Sequence, residues 1–390
     1  MTELRKCSRC GLPETYETIE YDANGLCNIC RSAEYKLQNV DWKARKKLLD
    51  DIISRFRGKY DYDCIVPFSG GKDSTFQLFY LCTEYKLKPL VVRFNHGFLR
   101  STVKENTERT LKKLGVDFIE FTPNWRIVKR LMLESFRRKT DFCWHCHCGI
   151  YSYPLRLAVR LHVPLVIWGE PISEITAYYD YEYNEIEYED EEKFNMFRNL
   201  GISAEDMYGM INAPNFPVDR RDLLPYTYPS AMELRSIKCT SICLGSFIPW
   251  DYTKHTALIK DNLSWKSDEL ECVPEELHSS GEKIECFMQG ARDYTKFCKR
   301  GYSRISQMIA FHIRNGRMNI NEAQKFYKLE GQKPPSLALL IDYLGITEDE
   351  FNETVKKTEV SPYHHDYSRC DQAGKTWDFD LWYREDNRKE

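Results

Sequence analysis

At 390 residues the chain is long enough for two or three domains with ample core. Hydrophobic residues make up 42% and charged residues 29%, the balance of an ordinary folded protein; 56 Lys and Arg against 59 Asp and Glu leave a net charge of -3, so no overall field attracts nucleic acid. No apolar run approaches the ~20 residues a membrane span needs. The opening MTELRKCSRC also lacks the apolar core of a secretory signal, so a cytosolic protein is expected.

In such a compartment 15 cysteines point to metal or catalysis rather than to disulfides. Cys7, Cys10, Cys27 and Cys30 form C-x2-C-x16-C-x2-C, with turns at Cys10-Gly11 and Asn24-Gly25. Four thiolates so spaced predict a tetrahedral structural zinc, and residues 1–40 read as a zinc ribbon that holds or docks something. In residues 41–60, Trp42, Leu48, Leu49, Ile52, Ile53 and Phe56 share one helical face, which predicts a connector helix.

Residues 61–250 alternate strand and helix. In YDCIVPFSGGKDSTFQLFY (62–80) an apolar run meets Ser69-Gly70-Gly71-Lys72-Asp73-Ser74, and helical periodicity follows. Paired glycines let a ligand approach the backbone, and a fresh helix start suits a phosphate. The spacing is not that of the Walker A loop. SGGKDS resembles the PP-loop of the ATP pyrophosphatases, and the turn is expected to face the surface. Strands follow at 89–94, 117–121 and 164–168, with helices at 103–114, 127–136 and 150–161. This order predicts an α/β fold, a doubly wound parallel sheet with ligands at the strand carboxyl ends. Ser69, Asn95-His96 and Gly169-Glu170 all fall at that edge. The acidic, tyrosine-rich stretch 178–192 reads as a solvated insertion, or as a lid or docking surface. Residues 251–390 read as a mostly helical domain, with helices at 303–313, 320–329 and 336–344 and one opening at Thr347; the end after Ser361 is expected to be poorly ordered.

Asp141-Phe142-Cys143-Trp144-His145-Cys146-His147-Cys148 invites a second metal, but Cys143 and Cys146 need further ligands from elsewhere; a reduced buried C-x2-C loop is the other reading. Together the ribbon, VPFSGGKDST (66–75), FNHG (94–97), DFCWHC (141–146), IWGE (167–170), IPWD (248–251) and IRNGRM (313–318) resemble the N-acetyl sugar amidotransferases of bacterial surface-polysaccharide and nonulosonic-acid pathways. The resemblance implies an enzyme that turns an acetamido group of an activated sugar into an acetamidino group. PP-loop tRNA thiolases offer a second likeness, in which Cys143, Cys146 and Cys239 would hold an iron–sulfur cluster.

An amide carbon is a poor electrophile, and attaching AMP to its oxygen activates it. On the amidotransferase reading, Lys72, Gly70 and Gly71 hold the ATP phosphates, and Ser69 and Ser74 fix phosphate oxygens. Asp73 with Glu170 or Glu174 holds Mg²⁺. Asn95 and His96 sit near the α-phosphate, His96 as a proton carrier, and Gly169 closes the cofactor site. Arg314 and Arg317 are candidate ligands of a sugar carboxylate or diphosphate. A glutaminase nucleophile is missing: the second residue is Thr2 rather than a cysteine, and no G-x-C-x-G elbow occurs. The resemblance instead implies a partner glutaminase and a cyclase-like subunit that channels ammonia; no membrane partner is expected, and no nucleic acid unless the thiolase reading holds.

Overall fold

A computed structural model describes residues 4–169, 186, 189–278 and 281–368. Glu170, Glu174, most of the stretch 178–192 and the chain end from 369 lie outside them. The ribbon runs into helices α1 (Asn28–Asn39) and α2 (Trp42–Ser54). Then come β1 (Cys64–Pro67), α3 (Lys72–Thr83), β2 (Pro89–Phe94), α4 (Ser101–Leu114), β3 (Asp117–Phe121), α5 (Trp125–Lys139), α6 (Trp144–Leu161) and β4 (Leu165–Trp168). After α7 (Glu191–Lys193), α8 (Ala204–Ile211) and α9 (Ala231–Ser236), β5 (Thr240–Cys243) completes the sheet.

All the strand pairs are parallel, in the order β3-β2-β1-β4-β5. The chain leaves β1 outward to β2 and β3, then returns to β1's other side for β4. The order therefore reverses between β1 and β4, and a crevice opens there at the carboxyl ends. β1, β2 and β4 are buried at every position, as central parallel strands covered on both faces must be. The two-residue strand period sorts their side chains. Cys64, Val66, Leu165 and Ile167 pack with Leu49, Ile52 and Ile53 of α2 and Phe76 and Leu78 of α3. Ile65, Val166 and Trp168 pack on the opposite face with Leu155 and Ala158 of α6.

The first core does not stop at residue 250. Ile259 and Leu263 of α10 (Tyr252–Leu263), followed by Trp265, belong to it. α11 (Glu275–His278), α12 (Gln289–Arg300), α13 (Arg304–Arg314), α14 (Ile320–Tyr327), α15 (Pro335–Leu344) and α16 (Glu348–Lys356) make up the rest. α12, α15 and α16 pack on α5, with Phe136 stacked on Phe351 at 5.2 Å. α6 begins at Trp144, earlier than expected, so the C-x2-C pair opens a helix rather than sitting in a loop.

Candidate functional site

The turn after β1 is built from inside. Gly70 takes φ +85°, and a Cβ there would lie 2.7 Å from Thr107 Oγ1 and 2.9 Å from Val103 Cγ1, so only glycine fits. Ser74 Oγ accepts from the backbone N–H of Ser69 and of Gly70 at 3.2 Å each, and Ser69 Oγ accepts from Gly71 N–H at 3.2 Å. The two hydroxyls meet at 3.0 Å. No side chain caps α3 at Gly71, which leaves that helix end to a ligand. Two tryptophans buttress the turn, Trp265 donating to Gly70 O at 3.2 Å and Trp250 to Asp73 Oδ1 at 3.3 Å.

Lys72 does not face the surface as expected. It is 2% exposed, its ammonium bound to Asp73, 2.9 Å from Glu282 Oε2, and 4.9 Å from the centre of the Tyr252 ring. Burial would raise the Glu282 pKa, but Lys72, Lys283 and Arg304 outweigh it and hold the carboxyl down at about 2. Arg304 lies 3.6 Å from Glu282 and 3.3 Å from Asp293. A chain of charges thus links the glycine turn to α12 and α13. Glu285 completes the ring, its Oε1 accepting from Ser69 Oγ at 3.4 Å. No periodicity or spacing marks Glu282 or Glu285 in the sequence, because their partners lie some two hundred positions away.

At the neighbouring strand ends, Asn95 Oδ1 accepts from Gly97 N–H at 2.9 Å, and its amide reaches Glu120 and Thr122. His96 is buried and its Nδ1 accepts from Phe98 N–H at 3.2 Å; desolvation, then His145 and Arg93, push its pKa down to about 3. The ring is a neutral clamp on its own loop. Gly169 lies beside Gln77, Asp73 and Trp250, so it borders the same crevice. Glu170 falls outside the described residues.

Cys143 and Cys146 are each within electrostatic reach of Cys286, and burial raises all three thiols, Cys286 to about 12. Cys239 needs correction as their partner. It precedes β5 and packs with Val163, at the far end of α6 from the pair. That helix has 18 residues, a separation of about 27 Å at 1.5 Å each.

The metal centre is as expected. Cys7, Cys10, Cys27 and Cys30 are buried, and their sulfurs all lie within 4.8 Å of one another. Cys10 Sγ and Cys27 Sγ are 3.7 Å apart, the edge of a tetrahedron with Zn–S bonds of about 2.3 Å. The donor set and spacing fit zinc. Backbone N–H groups of Cys27 and Cys30 point at Cys7 Sγ (3.3 Å) and Cys27 Sγ (3.4 Å), which favours the thiolate form.

The arginines of IRNGRM are not open ligands. Burial would lower the Arg314 pKa, but Cys10, Cys30, Tyr16 and Cys27 raise it, so this cation lies in the field of the cysteine cluster. Arg317 pairs with Asp251 at 2.8 Å, the residue that caps α10 just before Tyr252. The ribbon itself docks inside the chain. Tyr16 packs tilted against Tyr302 with ring centres 4.9 Å apart, Arg300 donates to Thr15 O at 2.6 Å, and Ala310 and Ile313 line the cysteine cluster.

Strand order, switch-point turn and buried lysine define a doubly wound α/β protein with a PP-loop-type corner, joined to a four-cysteine metal module and a helical C-terminal part. Residues 282–379 match the family described as "LPS biosynthesis protein WbpG-like, C-terminal domain". That match supports the resemblance to the amidotransferases of polysaccharide biosynthesis and supports an enzyme. An uncharacterized protein of Methanocaldococcus jannaschii, MJ1599, is 26% identical over 219 residues, covering 52% of this chain and 76% of that protein. A U34-tRNA thiolase, NcsA, from Methanococcus maripaludis, solved with its 4Fe–4S cluster, aligns at 12% identity and TM-score 0.30 over 84% of this chain and 89% of that one.

Proposed function

We propose that the chain is an ATP-dependent amidotransferase converting an acetamido group of an activated sugar into an acetamidino group. The observation that carries this reading is the glycine turn at the β1/β4 switch point, which starts α3 with no side-chain cap and with Lys72 as its first residue. The match of 282–379 to a lipopolysaccharide-biosynthesis domain supports a sugar substrate. The amide oxygen attacks the ATP α-phosphorus; the α–β phosphoanhydride bond breaks and pyrophosphate leaves, giving an O-adenylyl imidate. Ammonia attacks the imidate carbon, loses a proton, and AMP departs with the former amide oxygen.

The chain's contribution is positioning and charge. The Gly70 and Gly71 backbone and Lys72 would receive the β- and γ-phosphates, with the hydroxyls of Ser69 and Ser74 holding the turn in shape beneath them. Asp73 would hold Mg²⁺, which when bound would offset phosphate charge. A partner glutaminase with a channelling subunit supplies ammonia.

The test is ATP turnover by the purified chain with ammonium and Mg²⁺, offering UDP-diacetamido sugars, nonulosonic acids and tRNA in parallel. AMP, pyrophosphate and a sugar whose amide oxygen has become NH are expected. A second reading is sulfur transfer to tRNA, for which Cys143 and Cys146 would need a third thiol; among the described residues only the ribbon cysteines gather as a metal-ligand group. It is selected if the protein absorbs in the visible and yields thiolated tRNA beside an unchanged sugar.

A further inference from the structure

Gly71 has φ -75°, which any residue can adopt, so its lack of a side chain serves space rather than backbone freedom. That space is filled. A Cβ built on Gly71 would lie 1.9 Å from Glu285 Oε1 and 2.4 Å from Glu285 Cδ. The carboxylate therefore stands where a phosphate must stand to reach the turn. Ser69 Oγ donates to it at 3.4 Å. Three residues earlier, Glu282 takes the ammonium of Lys72 at 2.9 Å. The strip 282–286 thus sets one carboxylate at each of the two partners a phosphate would seek.

We propose that Glu285 holds the phosphate seat of the turn when no nucleotide is bound and turns to a divalent cation when a triphosphate enters. The C-terminal part thereby makes nucleotide binding conditional on that cation. The inference rests on the ATP reading above. Around the turn Asp73 and Glu282 face Lys72, with Arg304 on the far side of Glu282, and Glu285 touches Gly71, so three carboxylates already stand where phosphate charge would arrive. A bare triphosphate must both displace Glu285 and remain beside it, and like charges at contact distance repel strongly in a partly buried site. A divalent cation changes both conditions. Mg²⁺ prefers a carboxylate or two with phosphate oxygens and water, and Asp73 and the displaced Glu285 flank the same phosphates. Glu285 is a gating residue: it selects the metal complex over the free nucleotide.

Calorimetry on the full chain tests this, with an ATP analogue blocked between the α- and β-phosphates, in Mg²⁺ and in EDTA. The wild type is expected to bind the analogue far more tightly in Mg²⁺. Glu285→Gln keeps the shape and removes the charge; it should bind the metal-free analogue about tenfold more tightly and lose most of the Mg²⁺ enhancement. Glu285→Asp keeps the charge and should keep the Mg²⁺ requirement. If Glu285→Gln shows the wild-type enhancement, the gate is refuted while the nucleotide site stands. If none of the three proteins binds the analogue under either condition, the nucleotide reading falls and the gate with it.

Discussion

Lys72 is a buried cation before it is a phosphate ligand. Removing one partner of a buried pair typically costs about 3–5 kcal/mol, because the other charge is left without compensation. Lys72→Ala should therefore lose stability of that order as well as ATP turnover. In denaturant unfolding, Lys72→Ala combined with Glu282→Gln should recover part of it. A wild-type midpoint for Lys72→Ala would show that the Lys72–Glu282 contact holds nothing. A second residue-scale prediction concerns His96 and His255, both buried, with pKa values brought to about 3 first by desolvation. A histidine kept neutral in the fold but free to protonate when unfolded stabilises fully above its unfolded pKa of about 6.5. That stability is lost as pH falls from there toward 3. At pH 5 each should cost about 2 kcal/mol. His255→Gln, which keeps a polar planar group over Phe76, should flatten the pH dependence of the urea midpoint. An unchanged slope would mean that His255 does not titrate on unfolding. The residues legible in the sequence were those whose partners lie close by in the chain. Ser69, Gly70 and Ser74 cap one another within six positions. Glu282, Glu285 and Cys286 meet the site only through the tertiary fold, so no local pattern announced them.

At the scale of elements, apolar runs located the strands well, since a central parallel strand is buried on both faces and needs no alternation. The run from Pro89 to Phe94 is such a strand over its whole predicted length, and that from Asp117 to Phe121 is a strand too, although it lies at the sheet edge and is partly exposed. Helix starts were harder. α6 begins six residues early because Trp144, His145 and Cys146 carry no helical periodicity of their own, and their burial against α5 and the loop at His96 decides the matter. The four-cysteine module is an element whose two sides are coupled. Arg314 lies in the field of its sulfurs, and its face carrying Tyr16 packs on Tyr302. Chelating the metal should therefore loosen α12 and α13 and not the ribbon alone. Hydrogen exchange should rise in residues 289–314 after chelation, and metal analysis should find about one zinc per chain beforehand. Exchange confined to residues 4–30 would refute the coupling.

For the whole molecule, the boundary expected at residue 250 does not mark where one core ends, since α10 and Trp265 belong to the sheet's own packing. A chain truncated after 250 would strip Ile259, Leu263 and Trp265 from that core and remove the hydrogen bond to Gly70 O. We expect such a fragment to be insoluble or loosely packed, while a full-length protein with Trp265→Phe should fold and weaken nucleotide binding. Equal binding by the fragment and the full chain would overturn this. The expected fold class needed only alternation and strand character. The place of the helical part in the site depended on contacts too distant for periodicity to register.

The contact between Thr15 and Arg300 joins residues 285 positions apart. On a ribosome adding roughly 5–20 residues each second, the ribbon would wait about 15–60 s for the surface it rests on. Through that interval Tyr16 and Ile29 have no cover, and the metal alone gives the newborn N-terminus a shape. Zinc taken up early would fix the fold of the four-cysteine module before the surface it packs on has been made.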